Sequence, residues 1–191
     1  MNEKKRISTI NWKWTELKSD MAMAEHYGNI VLIGMPGSGK STVGVILAKM
    51  TGRDFIDTDI LINVSQGRSL QDIIDKDGYM ALRRIEEEII CGLTCTRHVI
   101  ATGGSAVYST KTMQHLKSGG DIILLDVDLH TLKDRVRDFD TRGVAKRPDQ
   151  TYADIFVERV ALYRKNADIT IDCAHLSHEE VCSNIIKRLK K

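Results

Sequence analysis

The sequence predicts a three-layer α/β fold around a parallel β-sheet. Short apolar runs of strand length alternate along the chain with segments that carry helical patterns, and this alternation is typical of the class. The run at 30–33 is continuously apolar and ends at a glycine-rich turn, as expected of a strand buried on both faces. Beyond the turn, one apolar helix face is predicted from Val43, Ile46, Leu47 and Met50.

The remaining elements continue the alternation. Further strands are predicted at 54–57, 98–101, 121–125 and 168–171. A helix is predicted from about 79 to 93, with a buried stripe formed by Leu82, Ile85, Ile89 and Leu93. The last helix is predicted to cover the sheet with Val181, Ile185, Ile186 and Leu189.

Length and composition indicate an ordinary folded domain. The chain has 191 residues, with 28 Lys and Arg against 26 Asp and Glu, and 42% of its residues are hydrophobic. These values exclude a collagen-like, low-complexity or largely disordered protein. We expect an N-terminal arm at 1–28, flexible or weakly helical, followed by one domain at 29–191. The net charge of +2 indicates neither a nucleic-acid nor a membrane partner, and we expect a monomer.

Location and metal content are predicted from what the sequence lacks. No apolar run reaches the roughly 18 residues that a membrane span needs, and the first residues lack the apolar core of a secretory signal, so we expect a cytoplasmic protein. The four Cys residues form no C-x-x-C pair and are interpreted as reduced structural thiols. The six His residues show no paired ligand spacing, which argues against a metal site built from His.

Residues 34–41 carry a phosphate-binding motif. They read GMPGSGKS and match G-x-x-x-x-G-K-[ST] between a predicted strand and a predicted helix. Backbone N–H groups of such a turn surround phosphate oxygens, Lys40 would reach the β and γ phosphates, and Ser41 would bind Mg²⁺. The alternative is a glycine turn that matches by chance. We assign binding of a nucleoside triphosphate to Gly34, Gly37, Ser38, Gly39, Lys40, Ser41 and Thr42.

Two carboxylates follow the second predicted strand. Asp57 and Asp59 stand at i and i+2 of an extended segment, close to the sheet edge at which ligands bind in this class. One carboxylate can hold Mg²⁺ and the other can accept a proton from an attacking hydroxyl, as phosphoryl transfer to an alcohol requires. A solvated acidic turn is the alternative interpretation.

A second candidate pair lies on the helix predicted at 79–93. Arg83 and Glu86 are at i and i+3 and are therefore neighbours on one helix face. Glu86 would hold the Arg83 guanidinium so that it presents its fork of donors to a substrate carboxylate. An exposed ion pair on the helix surface is the alternative that the spacing leaves open.

Several segments together resemble the shikimate kinase family. The resemblance covers roughly 30–171 and rests on FIDTD at 55–59, GRS at 67–69, DII at 72–74, DG at 77–78, LRRIE at 82–86 and ATGG at 101–104. It implies a P-loop kinase fold of the nucleoside-monophosphate-kinase type, with a five-stranded parallel sheet in the order 2-3-1-4-5 and a mobile lid. ATP and Mg²⁺ are the implied cofactors, and a small hydroxy acid is the implied substrate.

The resemblance also implies roles for individual residues. Asp57 would organise Mg²⁺, and Asp59 would hold the substrate hydroxyls and act as the base. Arg83 and Arg159 would grip the substrate carboxylate, with Glu86 supporting Arg83, and Arg135 would pack on adenine. The substrate ring would lie against Gly103, Gly104 and Ser105, where the family has a third glycine in place of the serine.

The predicted lid, at about 138–150, departs from the family pattern. It is polar and holds Arg142, Lys146 and Arg147. Arg147 precedes a proline as in the family, whereas Arg142 lies seven residues after Arg135, which is nearer the family's spacing. We predict that Arg142 completes the catalytic site in the transition state, with Arg147 as the second candidate.

Three functions are compatible with these features. The first is a shikimate kinase that transfers the γ-phosphoryl group of Mg·ATP to the 3-hydroxyl of shikimate. The second is a related kinase for another hydroxylated acid or polyol, which Ser105 and the unusual lid favour. The third is a nucleotide-dependent switch or binding module, for which the sequence offers no clear water-positioning residue in a switch loop.

Overall fold

The computed structural model describes residues 28–136 and 143–189. The predicted arm at 1–28 therefore lies outside the described residues except for Gly28, as does the part of the predicted lid from 138 to 142. Within the described ranges, no helix combines the length and the apolar character that crossing a membrane requires.

Five parallel strands form a single sheet, as predicted. They are β1 (Asn29–Ile33), β2 (Asp54–Asp57), β3 (His98–Ala101), β4 (Gly120–Asp126) and β5 (Ile169–Asp172). All four pairings are parallel, and the order β2-β3-β1-β4-β5 confirms the order that the resemblance implied. The predicted strand positions hold within about one residue, although β5 begins and ends one residue later than expected.

Helices connect the strands and cover the sheet. In chain order they are α1 (Lys40–Thr51), α2 (Thr58–Gln66), α3 (Leu70–Asp77), α4 (Tyr79–Cys91), α5 (Thr110–Gly119), α6 (Leu129–Arg135), α7 (Tyr152–Asn166) and α8 (His178–Leu189). A short 3₁₀ helix, Ala106–Tyr108, lies between β3 and α5. Capping boxes begin α3 at Ser69 and α7 at Thr151. In each box the hydroxyl accepts a hydrogen bond from the backbone N–H of the third helical residue, Asp72 or Asp154.

The main core surrounds β1, which is the central strand. Ile30, Val31, Leu32 and Ile33 have no exposed surface, as expected of a strand covered on both faces. A second, smaller core joins α2, α3 and α4 through Ile62, Ile73 and Leu82. Ala145, from the segment before α7, packs into the same core. These three helices therefore form a unit of their own beside the carboxyl edge of the sheet.

Two predicted helix faces need correction. On α1, Met50 is 47% exposed, whereas Gly44 and Ala48 are buried. Gly44 is buried because the Phe55 ring lies so close that a Cβ would overlap it. The helix therefore turns its small residues toward β2, and the longer side chain of Met50 remains exposed.

The predicted stripe on α4 is also only partly correct. Leu82 is buried as expected, but Ile85 and Ile89 are half-buried against the second core, and Ile90 is fully buried in the main core. The helix packs between two cores, so its buried surface is wider than one stripe. Glu86 lies on this widened face and is buried as well.

Candidate active site

One cavity of about 520 Å³ opens at the carboxyl edge of the sheet. This is the edge at which ligands bind in open α/β sheets. Its wall combines the turn after β1, the start of α2, the turn after β3 and residues 143–145 of the predicted lid. The lining residues are Pro36, Gly37, Gly39, Lys40, Ser41, Thr42, Asp59, Ile62, Leu70, Leu82, Glu86, Thr102, Gly103, Gly104, Ser105, Arg135, Gly143, Val144, Ala145, Arg159 and His178.

The phosphate motif forms one end of this cavity. Gly39 is the N-cap of α1 and has a φ of 95°, a left-handed conformation that favours glycine. The motif therefore ends at a helix N-terminus, where free N–H groups and the helix dipole attract anions. The Ser38 hydroxyl is buried beside them without a hydrogen-bond partner among the described residues, which suits a donor intended for a phosphate oxygen.

Lys40 is held against its own loop. Its Nζ donates to the carbonyl oxygens of Gly34 at 2.8 Å and Met35 at 2.9 Å. Burial lowers the Lys40 pKa to about 8, although the carboxylates of Asp59 and Asp57 act in the opposite direction. Lys40 is thus a buried cation at the cavity wall, available to a phosphate that competes with the two carbonyls.

The residues expected to hold Mg²⁺ are adjacent. The Ser41 hydroxyl donates to Asp57 Oδ2 at 2.6 Å. The other Asp57 oxygen accepts from the backbone N–H of Asp59 at 3.0 Å and caps α2. A hydroxyl and a carboxylate are the hard oxygen ligands that Mg²⁺ prefers, so this pair fits the ion.

Asp59 faces the cavity near Lys40. Burial, and to a smaller extent the charge of Asp57, raise its pKa to about 6, although Lys40 acts in the opposite direction. A carboxylate with a pKa just below neutrality is still ionised at pH 7 and is a stronger base than an exposed one. Asp59 therefore has the position and the basicity to accept a proton inside the cavity.

The turn after β3 brings the backbone close to two acids. The Gly103 N–H donates to the Thr58 hydroxyl at 2.9 Å. A Cβ on Gly103 would lie 2.6 Å from Asp59 Oδ1 and would overlap Glu86 Oε1. A larger residue here would therefore displace the carboxylates of Asp59 and Glu86, which occupy the space that its Cβ would need.

Glu86 is joined to Ser105 rather than to Arg83. The Ser105 hydroxyl donates to Glu86 Oε2, while Oε1 is buried without a hydrogen-bond partner among the described residues. Burial raises the Glu86 pKa to about 7, against the lowering effect of the Ser105 hydrogen bond. No hydrogen bond joins Glu86 to Arg83 among the described residues, because the Glu86 carboxylate faces the turn after β3, although the Arg83 charge acts to lower the Glu86 pKa.

The two predicted carboxylate-binding arginines meet at one backbone oxygen. Arg83 Nη2 donates to the Ala145 carbonyl at 3.3 Å, and Arg159 Nη2 donates to the same oxygen at 2.7 Å. Arg159 is 1% exposed and lines the cavity, whereas Arg83 is half-buried beside it and is not part of the lining. Two guanidinium groups thus converge on a single acceptor at the edge of the cavity.

The cavity lining also includes Arg135 and His178. Arg135 is the last residue of α6, is exposed, and donates to the Cys173 carbonyl at 3.5 Å. His178 begins α8, and its ring is the nearest group to the position that a Cβ of Gly39 would occupy. Both residues therefore lie beside the phosphate motif at the cavity wall.

The predicted lid is described only from residue 143 onward. Arg142 lies outside the described residues, so its position is not part of this structure. Arg147 is not a lining residue, and its guanidinium lies 3.7 Å from Asp149 and 3.9 Å from Glu158. Gly143 is anchored to α3 because its N–H donates to the Gln71 side chain at 3.0 Å.

Sequence reasoning missed three contributors to the site. Thr58 stands between the two predicted aspartates and supports Gly103, Ala145 supplies the carbonyl shared by the arginines, and Tyr108 contacts both arginines. Asp57 ends β2 and Thr58 begins α2, so the extended spacing expected for 57–59 is wrong, and only its place between two predicted aspartates marks Thr58 in the sequence. No comparable signal marks Ala145 or Tyr108, because their partners are distant in the chain.

Comparisons with known proteins show the family of the chain. The family model for shikimate kinase matches residues 36–190. Shikimate kinase from Thermodesulfovibrio yellowstonii is 37% identical over 166 residues, covering 85% of this chain and 95% of the relative. These findings favour a kinase over the alternative of a nucleotide-dependent switch.

Solved structures show the same relationship. Shikimate kinase from Acinetobacter baumannii in complex with shikimate has a TM-score of 0.81 at 28% identity, covering 88% of this chain and 96% of that one. Shikimate kinase from Aquifex aeolicus has a TM-score of 0.74 at 32% identity, covering 85% and 96%. The chain belongs to the shikimate kinase family and is an ATP-dependent phosphotransferase that acts on a hydroxyl group.

Proposed function

We propose that this enzyme transfers the γ-phosphoryl group of ATP to the 3-hydroxyl of shikimate. One observation carries the proposal: a single cavity holds a phosphate motif, a basic carboxylate at Asp59 and the buried cation Arg159. Phosphoryl transfer to a hydroxy acid needs these three parts, for the nucleotide, the attacking hydroxyl and the acceptor carboxylate. The similarity to a shikimate kinase solved with shikimate supports the choice of acceptor.

The nucleotide would bind at the end formed by the motif. Backbone N–H groups from Gly37 to Ser41 and the Ser38 hydroxyl would receive the phosphates, and Lys40 would leave its two carbonyl partners to pair with the β and γ phosphates. Arg135 would pack on the base. Ser41 and Asp57 would hold Mg²⁺, which supplies charge neutralisation between the β and γ phosphates when it is bound.

Asp59 would activate the acceptor. The acceptor hydroxyl would donate to the Asp59 carboxylate and pass its proton to it while the hydroxyl oxygen forms a bond to the γ phosphorus. The bond between that phosphorus and the oxygen bridging to the β phosphate breaks, and ADP leaves with the electron pair. Gly103, Gly104 and Ser105 would form the wall along which the acceptor ring lies.

The acceptor carboxylate would bind where the guanidinium groups converge. Arg159 reaches that point from α7 and Arg83 from α4, and both donate there to Ala145. Arg83 is not a lining residue in this structure. It would reach the acceptor carboxylate only if the Ala145 carbonyl shares its hydrogen-bond donors with the carboxylate or moves away from them. Paired guanidinium donors distinguish a carboxylate from an uncharged group, because charge-assisted hydrogen bonds are stronger than neutral ones.

The lid assignment remains a proposal that favours Arg142 over Arg147. The Arg147 guanidinium lies near the carboxylates of Asp149 and Glu158, and Arg147 does not line the cavity. Both observations support this order. An arginine at the transferring phosphoryl group contributes about 10³-fold or more to the rate. Replacement of each residue by alanine tests the order, since Arg142→Ala should lower kcat far more than Arg147→Ala, and the reverse ranking would contradict it.

A related acceptor is the second candidate. Ser105 lines the cavity at a position where the resembling family has glycine, so its hydroxyl changes the wall facing the acceptor. Another hydroxylated acid or a polyol would meet this wall differently from shikimate. The domain at 29–191, the monomeric state, the cytoplasmic location and the lack of a nucleic-acid partner stay predictions from the sequence.

A coupled assay of ADP release tests the proposal and separates the candidates. The enzyme would be incubated with Mg·ATP and with shikimate, quinate, other hydroxy acids or water alone. We expect ADP release that depends on shikimate and exceeds the release in water by several orders of magnitude. Greater turnover of another acceptor would support the second candidate, and release independent of any acceptor would contradict both.

A further inference from the structure

Tyr108 contacts both arginines of the proposed acceptor site. It is the last residue of the 3₁₀ helix that follows the glycine turn after β3. The Arg83 Cζ lies 3.7 Å from the centroid of its ring, and the Arg159 Cζ lies 5.3 Å from it. These two arginines come from different helices, α4 and α7, so one side chain links them.

The two contacts are of different kinds. At 3.7 Å the Arg83 guanidinium rests on the face of the ring, an arrangement in which the ring attracts the cation while the N–H donors at its edge remain available. Arg159 instead uses its Nε, which donates to the Tyr108 hydroxyl at 3.3 Å. The ring face therefore holds one arginine and the hydroxyl holds the other.

The remaining donors point to a common position. With Arg83 held by its face and Arg159 by its Nε, both Nη2 atoms donate to the Ala145 carbonyl oxygen. A single oxygen that receives hydrogen bonds from two cations occupies the kind of position that a carboxylate oxygen would take. Arg159 is fully buried, so its geometry depends on its protein partners rather than on water.

We propose that Tyr108 is a positioning residue for the acceptor carboxylate, which holds Arg83 by its ring and Arg159 by its hydroxyl so that both converge on one anionic oxygen. The inference rests on the proposed function, since it assumes a carboxylate-bearing acceptor. It makes Tyr108 a determinant of acceptor binding although the side chain need not touch the acceptor.

Tyr108 is suited to such a test because the core does not depend on it. It is only partly buried, whereas its neighbours Ala106 and Val107 insert into the main core. Tyr108→Phe keeps the ring and removes the hydroxyl, which bonds to Glu158 as well as to Arg159. Tyr108→Leu also removes the ring, so the difference between the two variants reports the hold on Arg83.

Steady-state kinetics with Mg·ATP and shikimate give the main measurement. We expect Tyr108→Phe to raise the KM for shikimate several-fold and Tyr108→Leu to raise it by about tenfold or more, while the KM for ATP and kcat stay within about twofold. Shikimate methyl ester, which lacks the carboxylate charge, should show little dependence on either variant. A side chain that merely supports the fold would change all of these parameters together.

A double-mutant cycle with Arg83→Lys shows whether Tyr108 acts through the arginine. The effects of Tyr108→Leu and Arg83→Lys on the KM for shikimate should be less than additive. Should Tyr108→Leu unfold, as thermal melting would reveal, the Tyr108→Phe variant carries the test alone. Unchanged KM values for shikimate in a variant of an active enzyme would overturn the inference. No shikimate-dependent ADP release by the wild type would contradict the proposed function and the inference with it.

Discussion

The phosphate end and the acceptor end of the cavity are assembled in different ways. The phosphate end comes mainly from eight consecutive residues, 34–41, whose glycines and backbone N–H groups supply the binding groups from one local segment. The acceptor end joins side chains from α2, α4, the 3₁₀ helix and α7, and a carbonyl from the segment after the lid. A local motif can therefore keep its chemistry while the acceptor end varies.

This difference teaches where function and specificity lie in the enzyme. Phosphoryl transfer needs the same phosphate contacts whatever the acceptor is, so changes at the phosphate end should act on kcat for every acceptor. Contacts with the acceptor are made by side chains that substitution can alter one at a time. Changes at the acceptor end should therefore act mainly on the KM of one substrate.

The largest effect is expected from Lys40→Ala at the phosphate end. We expect kcat to fall by about 10³-fold or more, because the cation that stabilises charge on the transferring phosphoryl group is lost. Circular dichroism should show an unchanged fold. Lys49→Ala is the matched control, since Lys49 is an exposed lysine in the last turn of the same helix. Equal loss in both variants would contradict the role of Lys40.

Asp59 lies between the two ends, and its removal should come next. We expect Asp59→Asn to lower kcat by about 10²-fold to 10⁴-fold while ATP affinity is retained, because an amide cannot accept the proton. Asp54→Asn is the control, since Asp54 is exposed at the far end of β2. A variant Asp59→Asn with wild-type turnover would remove Asp59 from the proposed role.

The pH profile of the wild type sharpens the same prediction. The Asp59 pKa is raised to about 6, so the fraction of ionised base falls as the pH drops through that value. The rate should therefore be nearly constant above pH 7 and fall by up to tenfold per pH unit below about 6. A rate that stays constant down to pH 5 would contradict an ionised Asp59 as the base.

Arg83→Lys should affect the acceptor end alone. We expect the KM for shikimate to rise about tenfold or more with little change in the KM for ATP, because lysine cannot reproduce the guanidinium fork. Arg84→Lys is a close control, since Arg84 is the next residue on α4 and is exposed. Equal changes in the KM values of ATP and shikimate would break the distinction between the two ends.

The smallest effect is expected from Ser105→Ala. Loss of the hydroxyl removes the hydrogen bond to the buried Glu86 carboxylate and should raise its pKa above the present value of about 7. We expect the KM for shikimate to change about threefold to tenfold. Ser65→Ala on α2 is the control, because the Ser65 hydroxyl bonds only within its own helix, donating to the Ile62 carbonyl and accepting from the Gln66 side chain. Identical kinetics in both variants would show that Ser105 does not shape the acceptor end.

The sequence predicted the phosphate end better than the acceptor end for a physical reason. The strand, the glycine turn and the helix that bind phosphate are contiguous, so pattern and mechanism can be recognised together. Contacts at the acceptor end span 19 positions for Ser105 and Glu86, 45 for Gly103 and Thr58, and 62 for Arg83 and Ala145. Spacing rules along one helix cannot reveal partners at such distances.

The expected pairing of Arg83 with Glu86 illustrates this limit. Their i, i+3 spacing makes them neighbours on a helix, which is correct, but α4 is packed between two cores. Glu86 therefore turns to the buried turn after β3, and Arg83 turns to Tyr108 and Ala145. The same packing explains why Ile90, absent from the predicted stripe, is fully buried.

The most direct test of the account is the identification of the product formed from shikimate. The enzyme would be incubated with Mg·ATP and shikimate, and the product would be analysed by mass spectrometry and by ³¹P and ¹H nuclear magnetic resonance. The account predicts one phosphorylated product that carries the phosphate on the 3-hydroxyl, formed in equal amount with ADP. ADP without phosphorylated shikimate, or phosphate on a different hydroxyl, would contradict it.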